Sequence, residues 1–494
     1  MSKKTLYFDA YCGYTISAVS ENGRVSEFLF EKNDETSITG NIYKGRIENV
    51  LPGMNAAFVN CGLERNCYLS ADDSPDEGKY EGESCGARAL PELHEGDEVM
   101  VQVEKPPVGK KGAKVTLSPT FVGKSIIYMP RTPFLGVSRK ITDSELRKNL
   151  LFTAKKIKNK GEGLVLRTAA PYARRDYVEF ELNYLKKIYS EVEAAFKTAK
   201  TGDLLFSDWK LPQRVLRDTL LYDVEKIYAG TPELKNMFRE LLALIPTAAD
   251  IPVILHDTGK DMFDELGISE QILSVTSPKV PLENGGNLII EKCEALTVID
   301  VNTGKFTGDD NLEQTVYFTN LSAAREIARQ VRLRNIGGIV VVDFIDMSNH
   351  SHKKALFEEL ERALLSDGAK CAVAPVSKFG LAEFTRKRTG SSPLSYMLQP
   401  CKHCKSGNVK SFKCSSFMLR AKILKAYCDG ARKFKLDISS DLSNEILSFK
   451  ELLNDLHARA PEAEIYVVPH KSYNEEQFTV TCDFLSLPDK AIKL

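Results

Sequence analysis

Leu296-Thr-Val-Ile-Asp-Val-Asn302 and Ile339-Val-Val-Val-Asp-Phe-Ile-Asp346 are two apolar runs of strand length that carry Asp300 and Asp343 near their ends. The second is almost wholly apolar, which implies a strand buried on both faces. Between them, residues 311–334 read as one long amphipathic helix, with Gly337-Gly338 as the stop signal. At about 1.5 Å per residue it spans roughly 35 Å. Asp309 or Asp310 stands where it can cap the first turn. Strand, helix, strand is the pattern of a right-handed crossover between parallel strands. The C-terminal ends of both strands then share one edge, where open α/β sheets bind their ligands.

Asp300 and Asp343 close those ends, with Asn302 beside them. Two carboxylates brought together without a basic partner repel each other, and a hard divalent cation relieves the repulsion. Mg²⁺ is typically held by one or two carboxylates plus substrate phosphates. The competing reading makes each Asp a helix cap or an acceptor for loop amides. For one Asp that reading is as good, whereas two on a shared edge favour metal.

On the C-terminal side, Cys401-Lys-His-Cys404 lies between Gln399-Pro400 and Ser406-Gly407, a tight-turn context. Two thiolates at this spacing can bind Zn²⁺, but tetrahedral zinc takes four ligands, and the chain has no second C-x-x-C. Cys414 and His403 could contribute, two chains could each donate a pair, or the thiols could be a redox or inert pair. The remainder to Leu494 reads as mostly helical, with a terminal strand pair.

On the N-terminal side, residues 5–31 read as strands, with a hairpin turn at Glu21-Asn22-Gly23-Arg24. Short runs at Ile42–Ile47, Ala56–Asn60, Asn66–Leu69, Glu98–Val103 and Lys114–Leu117, punctuated by glycine, suggest a small barrel. Phe58 and Tyr68 lie on adjacent strands of it, with Lys44, Arg46, Lys110 and Lys111 nearby. Such barrels bind single strands by stacking bases on aromatic rings in a basic groove, although most aromatics of small barrels are core. Residues 71–95, acidic and glycine-punctuated, read as a mobile surface loop. Strands at 125–129 and 163–167 and helices near 143–159 and 176–199 follow, and 213–275 continues with strands and short helices.

The chain of 494 residues carries 67 basic and 67 acidic residues. That neutrality hides a polarised surface. Residues 72–98 hold ten acids against two bases, a net −8, and residues 124–175 hold thirteen bases against three acids, a net +10. A patch of that kind attracts a phosphate backbone, unless Lys155, Lys156, Lys158 and Lys160 are simply a solvated helix end. No run of 18 apolar residues exists, which excludes a transmembrane helix, and Met1–Asp9 lacks a signal-peptide core. Eleven scattered cysteines with one C-x-x-C indicate reduced intracellular thiols, and so a cytoplasmic protein.

Taken together, these residues resemble the ribonuclease E/G family. The matching stretches are Asn41-Ile-Tyr-Lys-Gly-Arg-Ile47, Ala56-Ala-Phe-Val59, Arg167-Thr168, Thr297–Asn302, Glu326–Arg334, Gly337–Met347 and Cys401-x-x-Cys404, in order along nearly the whole chain. With no long Arg- and Pro-rich extension, the chain looks like the family's short form. The resemblance implies an α/β multidomain fold. A ribonuclease H-like subdomain in two parts (1–36 and 213–275) would flank an OB-fold RNA-binding domain (37–123) and a 5′-sensor (124–212). A deoxyribonuclease I-like catalytic subdomain (276–399), a zinc link (400–408) and a small C-terminal α+β domain (409–494) would follow.

It also implies an endoribonuclease cutting single-stranded RNA, including rRNA precursors and mRNA, to leave 5′-phosphate and 3′-hydroxyl ends. By that likeness Asp300 and Asp343 hold Mg²⁺ with Asn302 in support, and Phe58, Tyr68 and Lys111 contact RNA. Arg167 and Thr168, with Arg139 and Lys140, match the pocket reading a 5′-monophosphate. Cys401 and Cys404 match a zinc link in which two subunits share one ion, giving a homodimer or a higher homo-oligomer. Tyr68 stands where Phe is usual, and the acidic stretch is longer than in better-known members. The rival readings are a non-catalytic OB-fold RNA-binding protein, which needs no Asp300/Asp343 pair, and a metal-dependent DNA nuclease. No histidine lies within residues 296–347, which argues against a histidine-based route through a cyclic phosphate.

Overall fold

Asn22 and Gly23 both adopt positive φ, 51° and 80°. A two-residue hairpin turn of type I′ needs left-handed backbone at both positions, and this pair supplies it. The turn joins Tyr14–Glu21 to Arg24–Lys32 in a five-stranded sheet. Lys4–Tyr11 pairs in parallel with Val224–Ala229, so segments some two hundred residues apart lie side by side in this sheet. The computed structural model describes residues 3–33, 38–51, 56–70, 80–83, 93–107, 111–139, 141, 143–173, 175–207, 210–219, 224–243, 248–303, 312–365, 367, 369, 371–374, 377, 380–387, 392–401, 404, 407–474 and 476–494. They form two compact units, one of residues 1–34, 224–238 and 252–494, the other of 35–223 and 239–251.

In the first unit the six-stranded sheet runs Lys279–Pro281, Asn287–Lys292, Leu296–Asn302, Gly338–Asp343, Ala382–Arg386, Cys371–Val373. Leu296–Asn302 and Gly338–Asp343 are parallel neighbours, as the crossover requires. Helices Leu312–Leu333 and His350–Leu365 bury Ile299, Val301, Val340 and Val342 with Ala323, Ile327, Leu356 and Leu360. The expectation of burial on both faces is corrected. Val298 is 36% and Ile339 48% exposed, because both helices bury the opposite set of side chains.

The helix also stops earlier than the glycine pair. Asn335 takes φ 48°, the Ile336 amide donates to the Val331 carbonyl (2.9 Å), and the Asn335 amide donates to the Arg332 carbonyl (3.0 Å). These two bonds form a Schellman cap, with asparagine in the place usually taken by glycine. Gly338, at φ 100°, starts the next strand.

The C-terminal part is more sheet-rich than a helical tail. Lys433–Ser439 and Glu464–His470 pair in parallel across two short helices, and Phe478–Cys482 and Ile492–Lys493 flank them. Polar residues alternating with Phe434, Leu436 and Ile438 let one face bury while the other stays wet.

In the second unit, Ile42–Leu51, Ala56–Asn60, Cys67–Ser70, Lys114–Thr116 and Glu98–Lys105 pair in that order. Glu98–Lys105 pairs back onto Ile42–Leu51, closing a five-stranded barrel. All five expected strands are present. A second sheet runs Phe121–Val122, Ile126–Met129, Gly163–Leu166, Leu135–Ser138, Tyr80–Glu83, and helices Ser144–Ile157 and Arg175–Thr198 contribute to its core. Tyr80–Glu83 corrects the reading of 71–95 as a loop, since it is an edge strand paired with Leu135–Ser138. The other acidic residues up to 92 lie outside the described residues.

Candidate active site and nucleic-acid contacts

Parallel pairing puts Asp300 directly opposite Asp343, the last matched pair of the two strands. Both side chains are exposed, on the same open face as Val298 and Ile339. Asn302, two residues beyond Asp300 on that face, donates from Nδ2 to Asp300 Oδ2 at 2.7 Å. One carboxylate oxygen of Asp300 is thereby oriented and the other left available. Among the described residues no basic side chain forms an ion pair with either aspartate. Nor do the described residues contain a group of three or more His, Cys, Asp or Glu side chains able to hold a metal. A pair of exposed carboxylates alone suits a cation that keeps most of its waters, which fits Mg²⁺. Asp309 and Asp310, considered as helix caps, lie outside the described residues.

The barrel brings Phe58 and Tyr68 together. They are direct cross-strand partners with ring centroids 6.1 Å apart, and Phe58 is 37% exposed. The competing reading, that both rings are core, does not hold: Phe58 is exposed and Tyr68 half-buried. Lys111 is exposed, and Lys114 stands opposite Tyr68 on the neighbouring strand, paired with Glu104 at 2.8 Å. Lys44 does not belong with them. It is buried, 2.8 Å from Glu98, with its ammonium 4.9 Å from the Phe196 ring centre. Lys110 lies outside the described residues.

Arg167 and Thr168 leave the end of Gly163–Leu166, and Arg139 leaves the same end of the parallel neighbour Leu135–Ser138, in register Val137 to Leu166. The topology therefore carries these three residues to one end of the sheet, with Thr168 and Arg139 exposed. Lys140 lies outside the described residues. Arg167 Nη1 donates to the Gly123 carbonyl, and Arg167 is 3.9 Å from Asp218. Burial opposes ionisation of Asp218, but Arg217 and Arg167 override it and hold its carboxyl below the usual range.

Glu181, not anticipated from sequence, accepts the Ser125 amide at 3.0 Å and the Lys124 amide. Burial outweighs these bonds and pushes its carboxyl up. A Cβ at Gly123 would come 2.5 Å from this carboxylate, so a side chain there would have to push Glu181 off the position in which it accepts the two amides. The available signal was Gly123 immediately before Lys124. The basic run at 155–160 is largely the solvated helix end considered above. Lys158 binds the Glu162 carbonyl at 3.2 Å, and Lys156 sits 4.1 Å from the Phe152 ring centre.

Cys401 and Cys404 occupy the turn between Leu398–Pro400 and Asn408–Lys410. The Cys401 amide donates to the Gly407 carbonyl (2.8 Å), and the Gly407 amide donates to Cys404 Sγ (3.2 Å). Cys414 is buried, and that burial pushes its thiol up to about 11. His403 lies outside the described residues.

The model of the ribonuclease E/G family matches residues 120–389. The chain belongs to the ribonuclease E/G family. It is 32% identical to ribonuclease G of Haemophilus influenzae over 480 residues, 94% of this chain and 96% of that protein. It is 34% identical to ribonuclease G of Escherichia coli K12 over the same shares. It is also 34% identical to ribonuclease E of Synechocystis over 396 residues, 79% of this chain but 58% of that protein. The alignments with ribonuclease G thus run nearly the full length of both proteins, whereas the one with ribonuclease E covers little more than half of that relative.

Proposed function

We propose that this protein is an endoribonuclease that hydrolyses single-stranded RNA with Mg²⁺, leaving 5′-phosphate and 3′-hydroxyl ends. The observation that carries the reading is the register pair Asp300–Asp343, with Asn302 bound to Asp300, in a chain of this family. When bound there, Mg²⁺ would polarise the scissile phosphate and acidify a water. Asn302 orients Asp300, and the open sheet face admits an extended strand. Phe58 and Tyr68 offer rings for stacking bases, and Lys111 a charge for the backbone. Arg167, with Thr168 and Arg139, supports a preference for 5′-monophosphorylated RNA, since a guanidinium can fork onto a phosphate. Cys401 and Cys404 support one zinc shared between two subunits, because each chain offers a single thiolate pair. The two-part N-terminal sheet is read as ribonuclease H-like and the six-stranded block as deoxyribonuclease I-like. rRNA maturation and mRNA turnover in the cytoplasm are the proposed setting. No described helix is long and apolar enough to cross a membrane.

The test compares 5′-labelled RNA and the matching DNA, each with Mg²⁺ and with EDTA. Cleavage of RNA alone, and only with Mg²⁺, is expected. Asp343→Asn should nearly abolish cleavage while leaving RNA binding roughly intact. A mutant rate above about a third of the parent's at saturating Mg²⁺ would remove Asp343 from the mechanism, since loss of a catalytic charge ordinarily costs far more.

A further inference from the structure

We propose that Asn320 and Glu313, both on the Leu312–Leu333 helix, are positioning residues for Asp343: they clamp residues 344–349 and so fix how Asp343 faces Asp300. The proposal rests on the metal-holding role read above for those two aspartates.

The sheet supports Asp343 only up to its own position. The last pair on one side is Asp300–Asp343, and on the other it is Val342–Ala382. Two residues later the chain acquires a substitute partner. Asn320 Oδ1 accepts the Ile345 amide (3.1 Å), and Asn320 Nδ2 donates to the Ile345 carbonyl (2.8 Å). One side-chain amide thus imitates the pair of hydrogen bonds that a neighbouring strand would make. At the far end of the segment, Glu313 Oε2 accepts the Ser348 amide and Oε1 the Asn349 amide, both at 3.1 Å. Phe344 and Met347 are buried in the same core as the helix. The six residues after Asp343 are therefore held by two side chains and two apolar anchors.

Asn320 has no local reason to be where it is. Asparagine is a poor residue for a helix interior, because its amide competes with the backbone. Asn320 is fully buried, and a buried amide must find partners. Both of its bonds go to Ile345, 25 residues away. The helix that carries the clamp follows the Asp300 strand in the chain, and the clamped segment follows the Asp343 strand. The connection therefore ties the two carboxylate-bearing strand ends to each other. Groups that orient a metal's ligands commonly affect metal affinity or activity by about 10–100-fold when removed.

The experiment uses the full chain with Asn320→Leu, Glu313→Gln and Asp343→Asn. Four quantities are measured: melting temperature, affinity for single-stranded RNA in EDTA, Mn²⁺ affinity by electron paramagnetic resonance, and kcat and KM. Asn320→Leu should weaken Mn²⁺ binding and lower kcat by about tenfold or more, as loss of an orienting group does. RNA affinity and KM should stay within about twofold in Asn320→Leu, because Asn320 is fully buried. Glu313→Gln keeps one acceptor and should give a smaller change in the same direction. A purely structural clamp would lower the melting temperature alone. Parent-like Mn²⁺ affinity and kcat in folded Asn320→Leu would overturn the proposal. If that variant does not fold, the same parent-like result in Glu313→Gln overturns it instead. Parent-like Mn²⁺ affinity in Asp343→Asn would overturn the metal reading and the proposal with it. Loss in Asp343→Asn without loss in the clamp variants would overturn positioning alone.

Discussion

Phe58→Ala isolates stacking from charge. The ring is 37% exposed and rests against Tyr68 at 6.1 Å, so its truncation removes a surface ring and leaves the barrel core in place. Loss of one cross-strand pair costs the fold about 0.2–1 kcal/mol. Loss of one base stack costs binding about 1–3 kcal/mol, or roughly 5- to 150-fold in Kd. The two scales separate, so RNA affinity should fall much further than stability. The assay is fluorescence anisotropy with a labelled single-stranded RNA in EDTA, repeated over a salt series. Phe58→Ala should shift the whole line to weaker binding and leave its slope unchanged. Lys111→Ala should flatten the slope of log K against log salt by about 0.7, the value for one phosphate contact on a single strand. A Kd for Phe58→Ala within about twofold of the parent, well short of one stack's worth, would refute the stacking argument.

Arg167→Ala should reduce the preference for 5′-monophosphate over 5′-hydroxyl RNA about tenfold or more, the loss of one charge-assisted bond of about 1.5–3 kcal/mol; an unchanged rate ratio would exclude the pocket. Cys401→Ser with Cys404→Ser should lose zinc and weaken self-association. Half an equivalent of zinc per chain in a parent dimer supports the shared ion, and a full equivalent in a stable monomer excludes it. Glu21 is gripped by Arg332 at 2.9 and 3.2 Å and by Lys4 at 3.4 Å, which outweigh its burial and lower its carboxyl to about 2 from 4.5. Its contribution is therefore complete above pH 4.5 and is lost as pH falls toward 2. Glu21→Gln should cost about 1.5–3 kcal/mol at neutral pH, with the difference from the parent closing across that acid range in a urea titration.

The amino-acid sequence alone determined the two crossover strands, the helix between them and the neighbouring of Asp300 with Asp343. Each follows from a periodicity, a turn residue or a handedness rule acting over a few tens of residues. The barrel strands and the Asn22-Gly23 turn were legible for the same reason. Exposure was not, because it depends on what covers a face. The run Ile339–Val342 reads as doubly buried, yet Ile339 is 48% exposed where the packed helices bury the alternate side chains. Lys44 and Lys111 are alike as letters, but only Lys44 is buried beside Glu98. The acids of 71–95 likewise conceal an edge strand whose partner lies more than fifty residues on. The pairing of Asn320 with Ile345, and of Glu181 with the amides of Lys124 and Ser125, was decided by tertiary structure alone. A buried polar side chain shows locally that it needs partners, but which distant backbone groups supply them depends on the packing of whole helices against sheets.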